Sequence, residues 1–107
     1  MDAKTCNDEV RDVLHQLQPS FQALGDPVRQ QIVSLLIDKE SLNVTQIAEH
    51  IPMSRPTVSH HLKILRQARL LDVQKKGTEM YYRLAFVEAI GLLKELVLLV
   101  ESEHGDM

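Results

Sequence analysis

At 107 residues, with 44% hydrophobic and 25% charged side chains, the chain has room for one modest core and is too apolar for a disordered segment. With no Trp, two Phe and two Tyr, that core must be built from Leu, Ile and Val. The net charge of −3 argues against a polyanionic partner, but residues 52–84 carry seven Lys and Arg against two acids, net +5, while the rest is net −8.

A single Cys excludes an internal disulfide and suits a reducing cytoplasm, the expected location. The first twenty residues are polar and acidic, without the apolar run of a signal peptide. The greasy stretch AIGLLKELVLLV at 89–100 is broken by Lys94 and Glu95 and is shorter than the roughly 20 residues that span a bilayer, so no membrane partner is expected.

In chain order, Asn7-Asp8 caps a first helix over about 9–18, ended by Pro19, with Val10, Val13, Leu14 and Leu17 on one face. Ser20 opens a short helical turn, FQAL, closed at Gly25. Asp26-Pro27 starts the next helix, with Asp as cap and Pro where a missing N–H costs nothing. It runs to about Ile37 and buries Val28, Ile32, Leu35 and Leu36. Leu42-Asn43-Val44 is no more than a stub of strand. Thr45 caps QIAEH, with Ile47, Ala48 and Ile51 inward; Pro52 stops that helix, and Met53 and Ser54 make a turn.

Ser54 caps a further helix that ends near Arg69 and carries Val58, Leu62 and Leu65 as one stripe. Leu70–Lys76 and Met80–Leu84 read as strands joined by Lys76-Gly77-Thr78-Glu79, where Gly77 can take a positive φ. A last helix covers about 86–103. No repeat or low-complexity linker interrupts residues 1–107, so a single domain is expected.

Two short helices joined by a tight turn and followed by a β-hairpin make a helix-turn-helix with a wing. The side of the second helix opposite Val58, Leu62 and Leu65 presents Arg55, Pro56, Thr57, Ser59, His60 and Lys63. These are short donors near the helix start and longer cations, suited to base edges and phosphates of double-stranded DNA. The free N–H groups that begin at Ser54 suit a phosphate oxygen. Lys75, Lys76 and Thr78 sit at the hairpin tip, within reach of the backbone or minor groove. The DNA-binding set is therefore Ser54, Arg55, Pro56, Thr57, Ser59, His60, Lys63, Lys75, Lys76 and Thr78.

The adjacent His60 and His61 make a poor metal pair, because neighbours on a helix point about 100° apart. His60 falls on the polar face; His61 lies beside the apolar stripe and is expected to pack against the first half of the motif. Ser59 next to His60 is no nucleophile–base pair, no G-x-S-x-G turn exists, and no catalytic residue is assigned.

Taken together, ALGDPVRQQIVSLL, VTQIAEHIPMSRPTVSHHLKILRQARLL and KKGTEMYYRL resemble the ArsR–SmtB family of small winged-helix repressors over about residues 20–84, roughly 60% of the chain. The resemblance implies a mainly α winged helix-turn-helix of about five to six helices plus a two-stranded wing. It also implies a homodimer and operator binding that represses transcription until a signal intervenes. It places the DNA-reading helix at Ser54–Gln67 and the wing at Val73–Leu84.

Two departures stand out. Where relatives have Ala-Gly-Leu this chain has Ala68-Arg69-Leu70, so Arg69 must take a helix-ending conformation that costs about 1 kcal/mol. Relatives that bind metal use a Cys-x-Cys where Asn43 and Thr45 stand, or a His-containing set on the last helix, which here has no His before His104. No metal and no cofactor are expected, and the releasing signal has no signature in the chain. The alternative within the DNA-binding reading is a metal- or thiol-responsive sensor through Cys6 with His15, Glu101, Glu103 and His104 near the termini. It is weak: one thiol, loose spacing, and Asp8 and Glu9 beside it to raise the thiol pKa.

The last helix is apolar over more of its circumference than one core requires. Ile90, Leu93 and Val97 lie on one side, and Leu92, Leu96, Leu99 and Val100 widen the arc. A two-fold interface is expected from this helix and the first, at about 86–103 and 8–18. A reading from another class, a winged-helix module that docks protein rather than DNA, would require exposed large apolar or aromatic groups where this chain has Ser, Thr and His.

Overall fold

The computed structural model describes residues 6–104, the side chains of Cys6, Glu103 and His104 excepted. In order, the elements are α1 (Cys6–Leu24), α2 (Pro27–Lys39), β1 (Leu42–Asn43), α3 (Val44–His50), α4 (Arg55–Gln67), β2 (Leu71–Lys76), β3 (Glu79–Leu84) and α5 (Val87–His104). The strands form one antiparallel sheet of order β1-β3-β2. Ile32, Leu36, Ile47, Val58, Leu62, Leu65 and Leu70 fill the core between the helices and the root of the sheet.

Pro19 does not end the first helix; it lies inside α1, which absorbs the FQAL turn as well. Proline there gives up the N–H that would reach the carbonyl four residues back. The helix tolerates this because Val13, Leu17, Ser20 and Ala23 form an unbroken buried stripe on the side away from the exposed ring. That stripe packs chiefly on α5. Val13 and Leu17 are therefore consumed within the chain and do not supply the surface expected of them. On α5 the inward residues are Ala89, Leu92, Leu96 and Leu99, while Ile90, Leu93 and Val97 face outward.

α2 starts as expected, with Asp26 accepting from the backbone N–H of Val28 at 2.8 Å and of Arg29 at 3.2 Å. It runs two residues beyond Ile37 and closes on Glu40, whose φ of 67° and ψ of −56° form a positive-φ γ-turn sealed by the Ser41 N–H on the Lys39 carbonyl at 2.8 Å. Ile32 and Leu36 are buried as expected, Val33 joins them, and Val28 and Leu35 are only half-buried.

The stub at Leu42-Asn43 pairs with β3, Leu42 opposite Tyr82 and Asn43 opposite Tyr81, so the sheet has three strands rather than two. Asn43, not Thr45, caps α3: its side chain accepts from the Gln46 N–H at 2.8 Å, and the Gln46 side chain accepts from the Asn43 N–H at 2.9 Å. An Asx–Gln pair three apart satisfies two free donors at once, which a threonine two residues further in cannot do.

Candidate nucleic-acid interface

α4 is built to show one side to solvent. Ser54 caps it, its hydroxyl accepting from the Thr57 N–H at 3.4 Å and lying 2.9 Å from the Thr57 hydroxyl. Pro56 sits in the first turn, where no intrahelical donor is needed. Val58, Leu62 and Leu65 are fully buried, whereas Arg55, Pro56, Thr57, Ser59, His60 and Lys63 are all exposed.

The far end of α4 is locked by two crossed bonds. The Leu70 N–H donates to the Leu65 carbonyl at 3.0 Å, and the Arg69 N–H donates to the Arg66 carbonyl at 2.9 Å. That geometry needs a left-handed residue between them, and Arg69 supplies it with φ 62°. Both leucines of the closure are buried, so core packing holds a non-glycine residue where glycine would sit without strain.

At the wing, Gly77 takes φ 64° and lets β2 and β3 pair in register from Leu71–Leu84 to Lys76–Glu79. Lys75, Lys76 and Thr78 are exposed at the tip. The Lys76 ammonium lies 5.2 Å from the centre of the Tyr81 ring, its diagonal cross-strand neighbour. Among the described residues, none of Arg55, Lys63, Lys75 and Lys76 has an acidic side chain within ion-pairing distance; the ion pairs are Lys39–Asp38 and Arg69–Glu88.

The histidines separate as the helical phase requires. His60 is exposed; His61 is half-buried, with ring centres 6.0 Å apart and tilted by 57°. The partner of His61 is on α2, not on the first half of the motif: Arg29 Nη1 donates to His61 Nδ1 at 3.3 Å. Because guanidinium can only donate, Nδ1 is the acceptor in this contact. Arg29 also donates from Nε to the Ala23 carbonyl at 2.6 Å and from Nη2 to the Gln22 carbonyl at 3.5 Å. One side chain thus closes the end of α1 and braces α4. Sequence reasoning gave Arg29 no role, because its partners lie 6, 7 and 32 positions away. Tyr81 was missed for the opposite reason: its partner follows from the hairpin register once that register is known.

The backbone N–H of Arg29 holds the Asp26 carboxyl below its ordinary pKa, helped by that of Val28 and by the Arg29 guanidinium, against partial burial that pushes the other way. No group of three or more His, Cys, Asp or Glu side chains converges among the described residues. The thiol- or metal-sensing alternative falls largely outside them, at the side chains of Cys6, Glu103 and His104.

An exposed, cation-bearing helix, a tight turn before it and a sheet wing after it define a winged helix-turn-helix. Residues 26–73 match the family described as bacterial regulatory protein, arsR family. The chain is 42% identical over 64 residues to the transcriptional repressor SdpR of Bacillus subtilis, covering 60% of this chain and 70% of that one. It is 32% identical over 95 residues to the arsenical resistance operon repressor of Bacillus subtilis, covering 89% and 90%. The crystal structure of the transcriptional repressor PagR of Bacillus anthracis superposes with a TM-score of 0.65 at 31% identity, over 78% of this chain and 94% of that one. The chain belongs to the arsR family. It is a DNA-binding transcriptional regulator and not an enzyme, and none of its described helices is long and apolar enough to cross a membrane.

Proposed function

We propose that the protein is a cytoplasmic homodimeric repressor that reads an imperfect palindromic operator with α4 of each protomer and is released by a signal other than a metal held by the family's usual ligands. The observation that carries this reading is the exposed side of α4, where Ser59, His60 and Thr57 stand between Arg55 and Lys63 and neither cation has an acidic side chain within ion-pairing distance among the described residues. In this reading Thr57, Ser59 and His60 meet base edges and Arg55 and Lys63 meet guanine or phosphate. The start of α4 at Ser54 and Pro56 approaches a phosphate, and Lys75, Lys76 and Thr78 follow the adjoining backbone or minor groove.

The second copy is supported by the outward side of α5, a shallow apolar groove of Ile90, Leu93, Val97, Leu98 and the stem of Lys94. Pairing there sets the two reading helices about 34 Å apart, one turn of duplex. Selection of bound sequences from random duplex DNA tests the whole reading. Enrichment of an inverted repeat with half-sites one turn apart is the expected result; retention without sequence preference would overturn it.

A further inference from the structure

Away from the reading side, α1, the end of α4 and the start of α5 wall an open cleft of about 230 Å³, lined by Gln16, Ser20, Gln67, Arg69, Glu88 and Leu92 with small apolar residues between them and with the Arg69 and Glu88 side chains at its solvent edge. That is the volume of about seven or eight liquid waters, enough for a free amino acid.

Two observations point to its occupant. Arg69 Nη1 and Glu88 Oε2 face each other across 3.6 Å, longer than a direct charge-assisted hydrogen bond, so each charge keeps capacity for a ligand. Ser20 is 8% exposed and its side chain lines the cleft, where its hydroxyl is not sealed off as a buried unpaired group. A simple carboxylate placed there meets Glu88, and a simple amine meets Arg69. Only a ligand of both signs satisfies the pair.

We propose that this cleft binds a small zwitterion, an α-amino acid, with its carboxylate on Arg69, its ammonium on Glu88, a hydrogen bond from the Ser20 hydroxyl and a short side chain against Leu92. Arg69 stands two residues beyond the reading helix and Glu88 in the first turn of α5, so occupancy couples the reading helix to the outer helices and changes operator affinity. This regulatory half rests on the operator reading above. The cleft shares no lining residue with the outward groove of α5, so pairing through that groove does not use it.

The test is titration calorimetry of the full chain with each of the twenty free amino acids, with acetate and methylamine as half-ligands. At least one amino acid should bind with a sub-millimolar Kd, and the half-ligands about tenfold or more weaker. Glu88→Gln and Arg69→Gly should each weaken binding about tenfold. The second is also a folding control, because glycine accepts φ 62° without strain. Heats absent for all twenty, or unchanged in both variants, overturn the site. Binding that leaves the Kd for a selected operator unchanged overturns the regulatory half. If amino-acid binding is found but no operator can be selected, the operator reading fails and the cleft stands.

Discussion

Arg69 is where local conformation and chemistry disagree most openly. A left-handed non-glycine residue costs about 1 kcal/mol, and the pair it makes with Glu88 is exposed on both sides, at 78% and 60%, so it offsets little of that. Arg69→Gly should therefore raise the stability of the chain by about 1 kcal/mol, read as a higher urea midpoint at unchanged slope. Asp26 is the opposite case, a residue that fits its position. Its folded pKa is depressed, so its contribution is complete above the ordinary carboxylate range and disappears as pH falls through that range to the folded value. Asp26→Asn keeps the acceptor for the Val28 and Arg29 N–H groups but not the titration. The stability difference between parent and variant should shrink toward zero as urea midpoints are followed from neutral pH into acid.

At the scale of elements, caps and the hairpin decide what the helices can present. Removing the Asn43 side chain frees the Gln46 N–H at the start of α3, and Asn43→Ala should cost about 1 kcal/mol in thermal or urea unfolding. Thr45→Ala, at the position the sequence favours as the cap, should cost much less. The wing's own test is electrostatic. Lys76→Ala should weaken all duplexes alike and lower the slope of log Kd against log salt by about one phosphate contact; an unchanged slope would remove the wing from the DNA. Most of this was legible beforehand. Ser54, Asp26-Pro27, Gly77 and the spacing of Val58, Leu62 and Leu65 are local signals, and each placed its element to within a residue or two. What stayed hidden depends on contacts distant in sequence. Pro19 reads as a stop until the stripe behind it is seen to pack on α5, the stub at Leu42-Asn43 has no visible partner until β3 is laid beside it, and Arg29 has no meaning until α1 and α4 are brought to it.

For the whole molecule the decisive surface is the outward side of α5. Ile90, Leu93, Val97, Leu98 and Val100 are each at least 40% exposed among the described residues. Covering them with the same surface of a second copy removes apolar area from water on both sides at about 25 cal/mol/Å². In the dimer proposed above, that pairing is also what would set the distance between the two copies of α4. Val97→Glu separates these consequences from folding, since a residue 53% exposed can carry a charge at little cost to its own chain. Parent protein should elute with light scattering at twice the 12.2 kDa chain mass, and the variant at the chain mass with an unchanged far-ultraviolet spectrum. Losing the tether between two reading helices should cost about 10²-fold or more in affinity for a full operator, while affinity for a single half-site stays put. A variant that became monomeric yet bound the full operator as tightly as the parent would show that each α4 reads its DNA alone, and the palindrome would have no structural cause.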